Sequence, residues 1–104
     1  MFVGSAVFDL LLPPHVASLK QKRSVVRPLL AALKRFDVAV AEVGRAQLHR
    51  RSEVGIAVVA SDAAHVRDVL DACERLVAGR PEVELLSVRR QLTSSTDEEY
   101  AGHG

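Results

Sequence analysis

The largest group of side chains able to do chemistry is a run of basic residues in the first half of the chain. Residues 1–52 carry nine lysines and arginines against three acidic residues. Such a cluster attracts the phosphates of a nucleic acid, and this attraction is independent of sequence and weakens with salt. The alternative is a solvated cationic helix face with no ligand. The predicted contact residues for a nucleic acid or another partner are Lys20, Lys22, Arg23, Arg27, Arg50 and Arg51.

Two carboxylates in predicted strands, Asp9 and Glu42, are the candidates for acid–base chemistry. A small enzyme built on Glu42 and a neighbouring basic residue needs a buried carboxylate with a raised pKa beside a pocket. The basic residues Lys22 and Arg23 are also prospective ion-pair partners for Glu42. We favour a structural ion pair at Glu42 over catalysis, and we predict no catalytic residue.

The histidines and the single cysteine lack the spacing of a metal site. No two of His15, His49, His65 and His103 lie four residues apart, and a thiolate zinc site needs several cysteines. Cys73 falls in the apolar stripe of a predicted helix, which indicates a core residue rather than a nucleophile. The chain also has no glycine-rich phosphate loop, so we predict neither a metal nor a cofactor.

Length and composition describe one globular domain. The chain has 104 residues, 48 % of them hydrophobic and 26 % charged, which is enough for one core and argues against disorder. It has no apolar run of the roughly 18 residues that span a bilayer, and no basic secretory leader. One cysteine cannot form an intramolecular disulfide, which fits a reducing compartment. We therefore predict a cytoplasmic protein without membrane association.

Apolar periodicity predicts four strands and two helices that position these side chains. Alternation with period two marks the strands, which are predicted at residues 2–12, 37–43, 54–60 and 82–92. Stripes with helical period mark the helices, which follow N-caps at Ser18 and at Ser61 or Asp62 and end near Phe36 and Gly79.

Pro28 leaves the extent of the first helix open. A proline inside a helix costs about 3 kcal/mol unless it lies in the first turn. Either a short turn at residues 19–23 precedes a main helix that starts near Ser24 or Val26, or one kinked helix spans the whole segment. We favour the first alternative.

The order β-α-β-β-α-β predicts an α+β, ferredoxin-like sandwich with a four-stranded antiparallel sheet and two helices on one face. This domain is predicted to cover residues 1–92, and residues 93–104, rich in small, polar and acidic side chains, are predicted to form a flexible tail. Because the first half is basic and the second half acidic, one helix is expected to be basic and the other acidic.

The second sheet face is predicted to be too apolar for water, because the third strand places Ala57 and Val59 on one side and Ile56 and Val58 on the other. We therefore predict that a second copy of the chain or another partner covers this face. The alternative is a sheet face that is partly apolar but solvated. The third strand has no aromatic residue on which a base can stack, so any RNA contact is predicted away from the sheet.

Three segments carry a resemblance to a known family: Ser-Leu-Lys-Gln-Lys-Arg at 18–23, Val-Ala-Glu-Val at 40–43 and Gly-Ile-Ala-Val-Val-Ala-Ser-Asp at 55–62. With them the chain resembles the YlxP-like family, a bacterial domain of unknown function, over nearly all of residues 1–92. The resemblance implies a ferredoxin-like fold. It also implies that the basic signature of the family falls on Lys20, Lys22 and Arg23, and its strand-end acid on Glu42.

The resemblance implies no established activity, but members are often encoded beside translation initiation factor two and ribosome-binding factor A. That neighbourhood implies a link to ribosome assembly or translation. Our hypothesis is therefore a non-enzymatic, homodimeric binding protein that contacts ribosomal RNA or a ribosome-associated factor through its basic segment. Two alternatives stay open: a protein–protein adaptor acting through the apolar sheet face, and a small enzyme of unknown reaction.

Overall fold

The computed structural model describes residues 1–95, and the chain alternates strand, helix, strand, strand, helix and strand as predicted. The elements are β1 (Phe2–Leu11), α1 (Leu19–Lys34), β2 (Ala39–Gly44), β3 (Arg51–Ala60), α2 (Ala63–Ala78) and β4 (Glu84–Ser94). The sheet has the order β2-β3-β1-β4, and each neighbouring pair is antiparallel. This is the predicted α+β, ferredoxin-like sandwich. Of the helices described in residues 1–95, neither has the length and apolarity needed to span a bilayer.

One core lies between the two helices and one face of the sheet. Strand β1 shows why, because its residues alternate between burial in this core and the opposite face. Phe8 and Leu10 are fully buried at the centre of the core. Both helices contribute buried side chains to the same cluster, namely Val26, Leu29 and Leu33 from α1 and Val66, Leu70, Cys73 and Val77 from α2.

Helix α1 is continuous from Leu19 to Lys34 and includes Pro28, so the favoured alternative of a turn at 19–23 before a later helix is wrong. Pro28 is exposed, whereas Val26, Leu29 and Leu33 are buried against the sheet. Burial of a large aliphatic side chain contributes about 1.5–3 kcal/mol, so three of them outweigh the cost of one interior proline.

The predicted N-caps are present at both helices. Ser18 Oγ accepts a hydrogen bond of 3.1 Å from the backbone N–H of Gln21, and Asp62 Oδ1 accepts one of 2.9 Å from Ala64. At α1 the Gln21 side chain also accepts a hydrogen bond from the backbone N–H of Ala17 at 2.7 Å. These contacts satisfy N–H groups that have no partner inside the first turn, which fixes where each helix begins.

The expected division into a basic and an acidic helix holds only for α1. That helix carries five lysines and arginines and no acidic residue, whereas α2 carries three acidic residues and two arginines. Two of the α2 carboxylates, Asp71 and Glu74, are paired with Arg90 of β4 at 2.7 and 2.9 Å. With Arg90 beside them, the three acidic residues and two arginines of α2 leave its surface close to neutral. Other acidic residues of the described second half lie outside this helix, at Glu53, Asp62, Glu82 and Glu84.

Strand β4 continues to Ser94, two residues past its predicted end, since Thr93 and Ser94 pair with Val3 and Phe2 of β1. The backbone N–H of Ser95 then donates a hydrogen bond of 3.0 Å to the Met1 carbonyl. The remaining part of the predicted flexible tail, residues 96–104, lies outside the described residues.

Candidate functional site

Exposed basic side chains form a stripe along α1, which we call the basic face: Lys20, Arg23, Arg27 and Lys34. Their spacing of three, four and seven residues places them on one side of the helix. None of the four forms an ion pair with any other residue in the range 1–95. Their charge is therefore available to an anionic partner.

Lys22 lies on the other side of α1 and is only 3 % exposed. Its Nζ lies 2.9 Å from Glu42 Oε2 and donates hydrogen bonds to the carbonyls of Arg45 at 2.9 Å and Ala46 at 3.3 Å. An ammonium group has three N–H donors, so all of them are engaged within the chain. This corrects the prediction that Lys22 contacts a partner: burial and saturation of its donors make it a structural residue.

The Glu42 carboxylate is held by two donors, because its Oε2 also accepts a hydrogen bond of 2.6 Å from the hydroxyl of buried Ser52. Burial by itself raises the pKa of Glu42. The hydrogen bonds from Lys22 and Ser52, together with the charge of Lys22, outweigh burial and bring the pKa below its ordinary value of 4.5. An acid–base role for Glu42 required a raised pKa, whereas the structure shows the ion pair with a basic residue that we favoured for this carboxylate.

A bulge and a left-handed residue at the end of β2 shape the binding site of the Lys22 ammonium. The register between β2 and β3 shifts between Glu42 and Gly44, and Arg45 follows with a φ of 57°. This left-handed conformation costs a non-glycine residue about 1–2 kcal/mol. The two carbonyls after the bulge, those of Arg45 and Ala46, both accept from Lys22, so hydrogen bonding to a cation offsets the strain.

A cleft of about 300 Å³ opens between α1 and the connection from β2 to β3. The exposed Arg23 and Arg27 of the basic face line it, and so does the buried ion pair of Lys22 and Glu42. The remaining lining residues are Leu19, Val26, Leu30, Ala46 and Gln47. The cleft therefore connects the cationic surface of α1 to an ionised carboxylate.

Arg50 and Arg51, both predicted contact residues, are not part of the basic face. Arg50 Nε donates a hydrogen bond of 3.1 Å to the carbonyl of Leu12 at the end of β1. Arg51 Nη2 donates to both carboxylate oxygens of Asp9 at 2.8 Å, on the sheet face turned away from the helices. The predicted contact set is thus divided among four places, and only Lys20, Arg23 and Arg27 stay together.

The sheet face turned away from the helices, which we call the open face, has an apolar part and a charged part. The apolar part includes Val43 and Val59, which are 56 % and 62 % exposed, and a shallow hollow above Gly55. The charged part is an ionic cluster in which each carboxylate has at least two arginine neighbours within 4 Å. Its members are Asp9, Arg45, Arg51, Glu53 and Arg89.

Sequence reasoning did not identify three groups at these sites. Ser52 looked like an ordinary loop residue, and the carbonyls of Arg45 and Ala46 are backbone groups that carry no side-chain signal. The Asp9–Arg51 pair was also missed, because the third strand was predicted to begin at residue 54, which assigned Arg51 to no face of the sheet.

Within residues 1–95 no group of three histidine, cysteine or acidic side chains is close enough to hold a metal ion. Cys73 is completely buried in the core, and this burial raises the pKa of its thiol although the charge of Arg90 opposes the change. A protonated, inaccessible thiol packs like a small apolar side chain, in agreement with its place in the apolar stripe.

Comparison with known families gives one match over most of the chain. A family model described as "Protein of unknown function (DUF503)" matches residues 3–90. Among curated proteins no sequence matches. These findings place the chain among uncharacterised domains, and the YlxP-like resemblance stays a prediction.

Solved structures with the same architecture have little sequence similarity to the chain. The de novo designed protein Foldit4 has a TM-score of 0.54 at 14 % identity, covering 90 % of this chain and 98 % of its own. SnoaB, a cofactor-independent oxygenase from Streptomyces nogalater, has a TM-score of 0.50 at 11 % identity, covering 90 % and 93 %. The designed protein LFR1 1 with ferredoxin fold has the same score and identity, covering 92 % and 88 %. At such identities the likeness shows the fold alone.

Proposed function

The chain belongs to this family of proteins of unknown function, and from that premise we propose that it is a non-enzymatic binding protein whose basic face contacts structured RNA. The observation that carries the proposal is the run of exposed, unpaired cations on a helix without a single acidic residue. Ribosomal RNA is the proposed partner, because the YlxP-like resemblance implies a link to the ribosome.

The contrast with four arginines in or next to the strands of the sheet supports this proposal. Arg45, Arg51, Arg89 and Arg90 all lie within 4 Å of a carboxylate. On the basic face, by comparison, like charges one turn apart repel one another, which destabilises a helix by about 0.2–0.5 kcal/mol per pair. The stability of the fold gives no reason for that arrangement. Contact with a phosphate backbone does, since each neutralised phosphate releases a counterion.

The test is the salt dependence of binding to a structured fragment of ribosomal RNA, measured by fluorescence anisotropy between about 50 and 200 mM salt. We expect the affinity of the wild type to fall steeply with salt. The double variant Lys20→Glu with Arg23→Glu is expected to bind at least about tenfold more weakly, and its log–log salt slope is expected to decrease by about 2.

The matched control is Arg67→Glu with Arg75→Glu, which makes the same charge change at two exposed positions of α2. We expect it to keep most of the wild-type affinity and the full slope. If both double variants weakened RNA binding equally, the loss of affinity would be due to the change in net charge and not to the basic face. An unchanged affinity in the α1 variant would refute the basic face as the RNA contact.

We further propose that the open face joins two copies of the chain. Val43, Ala57 and Val59 are exposed apolar side chains on this face, beside a shallow hollow lined by Val7, Ala41 and Gly55. A two-fold dimer uses the same patch on both subunits, so that patch must be complementary to itself. Protruding side chains and a hollow on one surface meet this requirement. The neighbouring ionic cluster supports a second copy over an RNA or a strongly charged protein, because its three arginines and two carboxylates are already paired with each other.

A further inference from the structure

We propose that the cleft beside the basic face holds a single unstacked nucleotide, with its phosphate on Arg23 and Arg27 and the edge of its base on Glu42, and that guanine is the preferred base. This inference rests on the proposed RNA-binding function and specifies which part of the RNA is read.

The dimensions and walls of the cleft fit one nucleotide. Its volume of about 300 Å³ is at the lower end of the range for small-molecule sites, about 300–1,000 Å³. Leu19, Val26 and Leu30 of α1 supply apolar side chains along its lining. Such a surface accommodates the apolar face of a base that has left its stack, in a fold whose third strand offers no aromatic platform.

Glu42 offers one unoccupied acceptor to this cleft. Its Oε2 accepts from Lys22 and Ser52, whereas its Oε1 has no partner among the described residues. Its side chain is 26 % exposed and lines the cleft, so the unoccupied oxygen is accessible to a ligand there. Lys22 and Ser52 act as positioning residues, because they fix the carboxylate and keep it ionised.

The chemistry of a carboxylate decides which base it selects. An ionised carboxylate accepts hydrogen bonds and donates none. Guanine presents two neighbouring N–H donors on its Watson–Crick edge, at N1 and at the 2-amino group, and the two lone pairs of Oε1 can accept from both. Uracil presents a single N–H between two carbonyl oxygens, which the carboxylate repels. Discrimination by such a mismatch follows from unpaired or repelling polar groups rather than from size.

The rim of the cleft has the charge that a nucleotide phosphate requires. Arg23 and Arg27 are one helical turn apart, both line the cleft, and neither has an ion-pair partner within residues 1–95. Guanidinium groups bind phosphate oxygens through paired N–H donors. The Gln47 amide also lines the cleft and supplies both a donor and an acceptor to the ligand.

The test uses free 5′-GMP, AMP, CMP and UMP with the wild-type protein, observed by NMR through backbone amide shifts. We expect GMP to shift the amides of Arg27 and Gln47 and to bind about tenfold more tightly than UMP. The variants Arg27→Ala and Gln47→Ala are expected to weaken GMP binding at least about threefold. The control Arg67→Ala, at an exposed position of α2 outside both the cleft and the basic face, is expected to leave it unchanged.

Glu42→Gln tests the base contact directly, with the melting temperature as a check of folding, and is expected to abolish the preference for GMP. That change also disturbs the Lys22 ion pair. The relative affinities of the four nucleotides for the wild-type protein therefore decide the proposal by themselves. Equal affinity for GMP and UMP, or shifts away from the cleft, would overturn the proposal. Salt-dependent RNA binding without nucleotide shifts refutes the cleft but not the basic face; GMP binding without RNA binding refutes the basic face but not the cleft.

Discussion

At the scale of single residues, the molecule uses two neighbouring lysines in opposite ways. Lys20 is exposed on the basic face, whereas Lys22 is buried with its ammonium group on Glu42 and two carbonyls. Residues two apart on a helix point in nearly opposite directions, so one faces solvent when the other faces the sheet. Lys22 therefore links α1 to the end of β2, whereas the ammonium group of Lys20 is exposed to solvent.

Replacing Lys22 with methionine is expected to destabilise the protein by about 2–3 kcal/mol at pH 7. Removing one partner of a fully buried pair costs about 3–5 kcal/mol, and the value is lower here because the Glu42 side chain is 26 % exposed. Urea unfolding at several pH values measures the effect. Lys20→Met is the control, with an expected change within about 0.5 kcal/mol.

The cost of Lys22→Met is also expected to shrink as the pH falls from 7 towards 4. In the wild type the pKa of Glu42 lies below 4.5, so the stabilisation is complete above that value and is lost as the pH falls through the folded-state pKa. In the variant, burial dominates and raises the pKa, so acid relieves an unpaired charge. A cost that does not depend on pH would show that lost packing, rather than the ion pair, causes the destabilisation.

At the scale of elements, α1 shows tertiary packing prevailing over local preference. Its interior proline removes one hydrogen bond of the helix and crowds the preceding turn. The helix nevertheless continues from Leu19 to Lys34, because its apolar stripe is buried on the sheet on both sides of Pro28. This continuity also places Arg27 and Lys34 on the same face as Lys20 and Arg23.

Pro28→Ala is therefore expected to raise the free energy of unfolding by about 1–2 kcal/mol. The intrinsic difference between proline and alanine in a helix is about 3 kcal/mol, and it is reduced because proline also restricts the unfolded chain. Thermal and urea unfolding give the value. Ala31→Gly, at an exposed position of the same helix, calibrates it with an expected loss of about 1 kcal/mol. A Pro28→Ala variant less stable than the wild type would contradict this account.

At the scale of the whole molecule, the two proposed binding surfaces lie on opposite sides of the sandwich. Helix α1 and its basic face cover one side of the sheet, and the open face forms the other. In a dimer joined through the open faces, the sheets stack about 10 Å apart and each copy of α1 points away from the interface. Such a dimer presents two separate RNA-binding surfaces, and a long RNA that engages both gains avidity.

Val59→Lys is expected to convert the dimer to a monomer. Val59 is 62 % exposed, so a charge there is solvated in the monomer but desolvated in the interface, which favours dissociation. Sedimentation velocity over a range of protein concentrations measures the change. The control Leu48→Lys, at a loop position that is 47 % exposed, is expected to stay dimeric. A wild type that is monomeric at every concentration would exclude the dimer. A different protein bound to the open face would favour the alternative in which this chain is a protein–protein adaptor.

The sequence by itself determined the element order, the core face of β1 and the apolar stripes of both helices, because these depend on periodicity along the chain. It also indicated that Glu42 has a basic partner. Only the tertiary structure decided which cation that is. Lys22 is the partner of Glu42, because the bulge after Glu42 and the left-handed Arg45 also direct two carbonyls towards its ammonium group.

The division of the predicted contact residues was likewise decided in three dimensions. Neighbours in a strand point to opposite faces, so Arg51 at the start of β3 lies with Asp9 on the open face, away from the basic face. Arg50 is held by the Leu12 carbonyl, a partner 38 residues away. A run of positive charge in a sequence gives the amount of charge, but the direction of each side chain depends on which face the fold buries.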